Sequence, residues 1–291
     1  MVERIGVVLA AGGERVVPWE TGVLAGLADA GLDLRGAGAI VGTSAGAFVA
    51  ARLALGVDPR EAAERIAAHG APAAPPELVR RAAATLPRLL EIQAVRPSAE
   101  RCRRVGRFAL EARTIPEAVH VGAGARRLPA GEWPAALRLV AVDAETGERV
   151  RLDRGAGATV AAGVAAARSL PGVLPPVTVG GRRLIDAAVA SGTNADAARG
   201  GTELVLVITP ATFAAPSGTV DAALEAGLGG ELATLERAGI AVQVIRADHE
   251  ARAAMGAELF GIVDAAAAVA SGRRAGRAAA AALLADRVRA A

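Results

Sequence analysis

Lysine and tyrosine are absent from this chain, aromatic residues make up 2% of it, and Cys102 is its single cysteine. One cysteine excludes an intramolecular disulfide and any metal site built on cysteine pairs, and it makes a reducing compartment the default expectation. The scarcity of aromatics removes the stacking platforms on which single-strand nucleic-acid binders depend. All 33 basic residues are arginine, yet 30 Asp and Glu leave a formal net charge of only +3, so the pI of 10.5 overstates the basic character. No nucleic-acid partner is expected from such a balance. Long apolar runs are missing as well. The N-terminal stretch "MVERIGVVLAAGGERVVPW" is too short for a signal-peptide core and is broken by Gly12, Gly13 and Glu14. The Ala-rich stretches elsewhere carry Arg, Asp or Glu at close intervals and fall short of the roughly 20 apolar residues of a membrane span. A cytoplasmic protein is expected, soluble or peripheral to the membrane.

What the chain does have is hydrophobic side chains, 53% of 291 residues, enough to bury a large core. Apolar β-type runs alternate with helical patterns. "RIGVVLA" (Arg4 to Ala10) reads as a buried strand, Gly12 and Gly13 break it, and a helix from Pro18 stops at Gly31. A second unit follows: a short strand ending at Val41, a tight turn, and a helix from Ala45 to about Leu55. Repeated strand-turn-helix units predict an α/β fold whose central sheet is mostly parallel with helices on both faces, because parallel strands need crossover connections. Between about residues 60 and 131 no strand is expected, only an inserted layer of helices with joints at Pro75-Pro76 and Arg96-Pro97. The sheet resumes as a hairpin around "AETGE", followed by a helix from Thr159 to about Ala167, a Pro-rich loop "SLPGVLPPVTVGG", and a short strand Arg183 to Ile185. "ELVLVITP" and "AVQVIRAD" complete the strands. The whole of 1–291 is read as a single domain, with core motifs in 4–200 and further strands and helices in 201–291.

Two glycine-bearing turns carry chemistry. In "GTSAG", Ser44 lies between Gly42 and Gly46 after a strand and before an Ala-rich helix, the context in which a G-x-S-x-G turn exposes a serine hydroxyl. The helix N-terminus beneath Ser44 also favours negative charge developing nearby. In "AAGGERVV", Ala10 to Val17, the spacing fails the dinucleotide pattern G-x-G-x-x-G, leaving either a plain tight loop or an oxyanion hole made by the N–H groups of Gly12 and Gly13. A serine needs a base. Asp248-His249 comes late enough to complete a Ser-acid-His order, but it reads more simply as a solvated helix start. His69 and His120 read as surface residues of the helical insertion, and Asp186 at the end of its short strand is the carboxylate candidate. Only one strand precedes the Ser44 strand, which argues against an α/β-hydrolase.

At these residues the chain resembles the patatin-like phospholipases, in which a Gly-rich oxyanion loop, a G-x-S-x-G elbow and a late D-G-G or D-G-A motif follow in order. "AGGER", "GTSAG" and "LIDAA" occupy those places, and "SLPGVLPPVTVGGRRLID" resembles the family's Pro-rich approach to its aspartate. The resemblance is strongest over residues 4–55 and 137–198 and extends over nearly all of the chain. It implies a patatin-like three-layer fold and a serine acyl hydrolase acting on a lipid or other small carboxylic ester. In that reading Ser44 attacks the carbonyl and Asp186, not a histidine, takes the proton. Gly12 and Gly13, with Glu14 beside them, hold the oxyanion. Arg15 resembles the family's basic residue after these glycines and either steers a phosphate, pins the loop, or is simply a solvated arginine. No metal or organic cofactor is implied.

Two departures from the family pattern matter. Where further glycines are usual, this chain has Val16-Val17, so either these residues keep ordinary conformations or the loop is remodelled. The aspartate motif is Asp186-Ala187-Ala188, and Ala187 in a left-handed conformation would cost about 1–2 kcal/mol. These losses keep open a degenerate, non-catalytic lipid- or acyl-chain-binding protein; an acyltransferase using the same elbow is a further alternative, with His249 as its partner. Within the insertion, Leu86, Leu89, Leu90, Ile92 and Val95 form an apolar face beside Arg81 and Arg88. Such a helix either packs on the protein's own core or serves as a lid making peripheral contact with an anionic membrane.

Overall fold

A computed structural model of the chain describes all residues except 1, 72–73, 94–97, 211–217, 262–263 and 291. Val95 and the Arg96-Pro97 joint therefore lie outside the described residues. The first strand, β1 (Ile5–Leu9), leads through the glycine loop into α1 (Val16–Asp29), and β2 (Ala39–Gly42) leads through the serine turn into α2 (Ala45–Ala54). Four helices then follow with no strand between them among the described residues: α3 (Pro59–His69), α4 (Pro76–Gln93), α5 (Ala99–Glu111) and α6 (Glu117–Ala125). The hairpin β3 (Leu137–Asp143) and β4 (Arg149–Leu152) precedes α7 (Val160–Ala167). Next come β5 (Val177–Val179), β6 (Arg182–Asp186), β7 (Leu204–Thr209), α8 (Gly218–Arg237), β8 (Ala241–Arg246), α9 (His249–Met255) and α10 (Ala265–Ala290).

The eight strands among the described residues join one sheet through the pairings β5-β6, β6-β3, β3-β2, β2-β1, β1-β7 and β7-β8, with β4 also paired to β3. The central run β3-β2-β1-β7-β8 is parallel, whereas β4 and β6 run antiparallel to β3, and β5 antiparallel to β6. Strand side chains alternate between two buried layers. Val7, Leu9, Ile40, Leu139 and Leu206 enter one core with α1, α2, α7 and α10, while Val8, Val41, Val140 and Val207 enter the other with residues of α5 and α8. A period of two with both faces buried is the signature of a sheet covered by helices on both sides, and the three-layer α/β fold expected from the sequence is what forms.

The final helix, low in complexity, has a specific seat. A Cβ at Gly272 or Gly276 would collide with the backbone of α1, and one at Gly22 or Gly26 with the backbone of α10. Glycines four apart on each helix let the two backbones touch. Asp29, at the end of α1, closes the pair by accepting from Arg273 (2.6 Å) and Arg277 (2.7 Å). One strand was not anticipated: β5 lies inside the Pro-rich segment, where three residues flanked by Pro176 and Gly180 are too short to show a period.

Candidate active site

The turn after β2 is strained at one residue. Ser44 has φ 53° and ψ −123°, a region that non-glycine residues avoid at a cost of about 1–3 kcal/mol, and it persists only when its surroundings over-determine it. Those surroundings are visible. A Cβ on Gly42 would strike the backbone of Ala47, and one on Gly46 would strike the carbonyl of Leu9, so both glycines are needed to seat α2 against β1 and β2. Thr43, fully buried, donates through Oγ1 to the Thr193 carbonyl (3.2 Å) and accepts from Asn194 Nδ2 (3.1 Å). Asn194 is itself left-handed at φ 52°, and the N–H of Ala11 donates to the Gly192 carbonyl (2.8 Å). Loop 191–194 thus braces both glycine-bearing turns from behind. Sequence reasoning had passed over it, although "SGTN" has the small and polar composition of a turn that bonds to its neighbours.

The sheet brings Asp186 to Ser44. Residues 141 and 142 of β3 pair with both β4 and β6, and Leu139 pairs with both β2 and β4, so β2 and β6 must share the same edge of β3. On that edge Gly42 stands opposite Leu139, and Asp186 stands opposite Ala141, two residues further along. Two residues of strand is about 7 Å. The chain that leaves the edge at Gly42 to make the serine turn therefore meets the end of the strand that takes its place. Ser44 faces Asp186 closely enough for its hydroxyl to favour the ionised carboxylate, and the Ala188 N–H donates to Asp186 Oδ1 at 2.9 Å. Burial pushes the Asp186 carboxyl up to about 6, against the opposing pull of the Ser44 hydroxyl, the Ala188 bond and the nearby Arg168 charge.

The glycine loop lies across from this pair. Gly13 has φ 78°, and a Cβ there would run into the Leu259 backbone, while a Cβ on Gly12 would run into Val16. Among the described residues no group accepts from the N–H of Gly12 or Gly13. Glu14 pairs with Arg168 and, at 3.5 Å, with Arg127. Burial pulls the Arg168 guanidinium down to about 10. Arg15 is buried and does not line the cavity; its Nε donates to the Gly12 carbonyl (3.1 Å) and a terminal nitrogen donates to the Gly256 carbonyl. Val16 and Val17 open α1 in ordinary helical geometry. Ala187 lies in a short 3₁₀ turn with φ negative, so the left-handed strain expected at this position does not arise. Behind the loop, Glu20 of α1 is fully buried, neither of its carboxyl oxygens has a hydrogen-bond partner among the described residues, and burial pushes its carboxyl well above the usual range.

Ser44, Asp186, Gly12, Gly13 and Glu14 all line one cavity of about 500 Å³. Its walls come largely from the helical layer: Leu78, Leu86 and Leu89 of α4 face it, with Val173 and Leu174 beyond. Leu89 is 3% exposed, so that part of the apolar face of α4 is turned inward; the side chains of Leu90 and Ile92 lie outside the described residues. Arg81 donates to the Arg113 carbonyl, and the Arg88 guanidinium lies 5.4 Å from the Phe108 ring centroid. Leu259 and Phe260 close the far side, a contribution from the C-terminal third that no local pattern signalled. The histidines divide differently from expectation. His69 and His249 are exposed and outside the cavity, but His120, expected at the surface, is 9% exposed and lines it. Its Nε2 donates to the Ala165 carbonyl at 3.0 Å, and burial lowers its pKa against the opposing pull of that bond and of Glu117. The reason is tertiary: α6 packs against α7, and the ring is caught between them.

A three-layer α/β sheet thus places a strained serine on a strand-to-helix turn and a buried carboxyl along one largely apolar cavity. A model of the patatin-like phospholipase family matches residues 7–199, more than half of the chain, and the protein belongs to that family of lipid-hydrolysing enzymes. The matched segment includes the glycine loop, the serine turn, the helical layer and Asp186. No curated protein matches the chain. No helix among the described residues is long and apolar enough to cross a membrane.

Proposed function

We propose that the protein is a serine acyl hydrolase that cleaves lipid carboxylic esters with a Ser44-Asp186 dyad. The observation that carries this reading is the convergence of Ser44, on its strained turn, and the buried Asp186 carboxyl on one largely apolar cavity. Asp186 accepts the proton as Ser44 Oγ attacks the ester carbonyl, and the N–H groups of Gly12 and Gly13, with Glu14 beside them, receive the negative charge that forms on the carbonyl oxygen. Asp186 then returns the proton to the leaving alcohol. In the second half a water gives its proton to Asp186, attacks the acyl-Ser44 ester, and restores the free hydroxyl as the fatty acid departs. A carboxyl near 6 is suited to both steps, being basic enough to take a proton near neutrality and acidic enough to return it.

Arg168 serves the site through Glu14, anchoring the loop that carries the oxyanion donors. Arg15, bonded to two backbone carbonyls, acts in this reading by pinning the loop rather than by meeting a phosphate. The non-catalytic alternative was motivated by the loss of the family's glycines at Val16, Val17 and Ala187; none of these residues is in a strained conformation, which supports the hydrolase reading. The test is a fluorophosphonate probe and a short-chain fluorogenic ester applied to the parent protein, Ser44→Ala and His249→Ala. Ser44→Ala is expected to lose both labelling and turnover while His249→Ala keeps them. Labelling that persists without Ser44 refutes the assignment.

A further inference from the structure

A second cavity, also of about 500 Å³, lies beside the first and shares Arg126 and Arg127 with it. It is enclosed by the end of α2, the start of α3 and the segment following α6, and its charged wall is unbalanced. Arg35, Arg52, Arg65, Arg126 and Arg127 face two carboxylates, Asp58 and Glu61. Asp58 is already engaged by Arg35 at 3.4 Å and Arg60 at 3.5 Å. Among the described residues, no carboxylate lies within ion-pair distance of Arg52, Arg65 or Arg126. Arg127 has Glu14 at 3.5 Å, its one carboxylate partner among them.

The arrangement is costly as it stands. The guanidinium groups of Arg52 and Arg127 both lie over the ring of Phe48, at 5.6 and 4.5 Å from its centroid, with Arg168 a third at 5.5 Å. Glu14 pairs with Arg168 and Arg127, and the ring alone leaves Arg52 without an opposite charge among the described residues. Arg52 is half-buried, and its charge is disfavoured first by that burial and then by Arg65 and Arg127. A cluster of arginines that repel one another around an open volume is relieved by a multiply charged anion, and the planar guanidinium fork matches phosphate oxygens in pairs.

We propose that this second cavity is a binding site for a phosphate group, held by Arg52, Arg65, Arg126 and Arg127. The group is either free phosphate or the phosphate of an anionic lipid whose acyl part occupies the neighbouring cavity. Because Arg127 also pairs with Glu14 of the glycine loop, an anion here competes for that contact and is felt at the serine site.

Binding is read by isothermal titration at low ionic strength on the Ser44→Ala protein, so that the result does not depend on whether Ser44 is a nucleophile. The probes are inorganic phosphate and monomeric dihexanoyl phosphatidic acid. Ser44→Ala is expected to bind at least one of them. Adding Arg65→Gln and Arg126→Gln, both exposed and without ion pairs among the described residues, is expected to weaken binding at least tenfold with a melting temperature that does not fall. Adding Arg154→Gln and Arg199→Gln instead, the same charge change elsewhere on the surface, is expected to leave binding intact. Binding of phosphatidic acid alone identifies the site as a headgroup site, and equal sensitivity of inorganic phosphate to the same substitutions identifies it as a free-phosphate site. Failure of both probes to bind, undiminished binding after Arg65→Gln with Arg126→Gln, or an equal loss in the control pair overturns the proposal.

Discussion

Replacing Asp186 by Asn separates what this carboxyl costs from what it does. Its pKa rises from 3.8 to about 6 on folding, chiefly because burial disfavours the charge. The folded state therefore binds the proton more tightly than the unfolded chain, and stability is lost as pH rises between those two values and stays lost above them. A shift of about two units is worth about 3 kcal/mol, since each unit is 1.36 kcal/mol. Asn keeps the carboxyl's shape and an oxygen for the Ala188 N–H, but it cannot ionise. In urea denaturation the stability of Asp186→Asn relative to the parent is expected to increase by about 3 kcal/mol between pH 3.5 and pH 7.5. Comparing the same pair at two pH values cancels any pH-independent change at the Ser44 contact. Over the same range the parent's kcat/KM on a soluble ester is expected to rise about tenfold per pH unit below 6 and level off above it, while the variant stays near background. A stability difference that is flat or shrinks with rising pH refutes the burial argument for Asp186, and an active Asp186→Asn refutes the dyad.

The strain at Ser44 predicts that Ser44→Gly is more stable than Ser44→Ala by about 1 kcal/mol, because only glycine adopts φ 53° and ψ −123° freely; thermal melts of the two variants decide it, and the reverse order removes the strain. Val16→Gly combined with Ala187→Gly is expected to give no gain in ester turnover and some loss of stability, because neither position needs a positive φ and Val16 is packed in the core; a faster enzyme would mean that these residues do hold the site out of register. Glu20→Gln is expected to raise the melting temperature more at pH 8 than at pH 5, because a carboxyl whose folded pKa is raised by burial progressively destabilises the fold as pH climbs above its unfolded value. An equal effect at both pH values would place an ionised, compensated Glu20 in the core.

Some of this protein was legible from the chain alone, and the reason is locality. The glycine loop and the serine turn are short stretches whose backbone demands small residues, so Gly12, Gly13, Gly42 and Gly46 announce them before any contact is known. Buried strands such as Ile5–Leu9 and Leu204–Thr209 read as unbroken apolar runs because both faces of the sheet are covered. The N-cap of α7 at Thr159 is likewise a residue acting within its own turn. The pairing of Asp186 with Ser44 is of another kind. From the residues alone the proton acceptor stayed open, and only a family resemblance singled out Asp186. Its place depends on β6 occupying the edge of β3 just beyond β2, which is a matter of register between strands far apart in sequence. His120 depended on α6 packing against α7, and the far wall of the cavity on Leu259 and Phe260 reaching back from beyond β8. The arginine cavity is drawn from segments far apart in the chain and shows in no sequence window, because a cluster of charge is a property of where helices meet. Local conformational demand is written residue by residue, whereas the meeting of side chains is decided by which surfaces the core brings together.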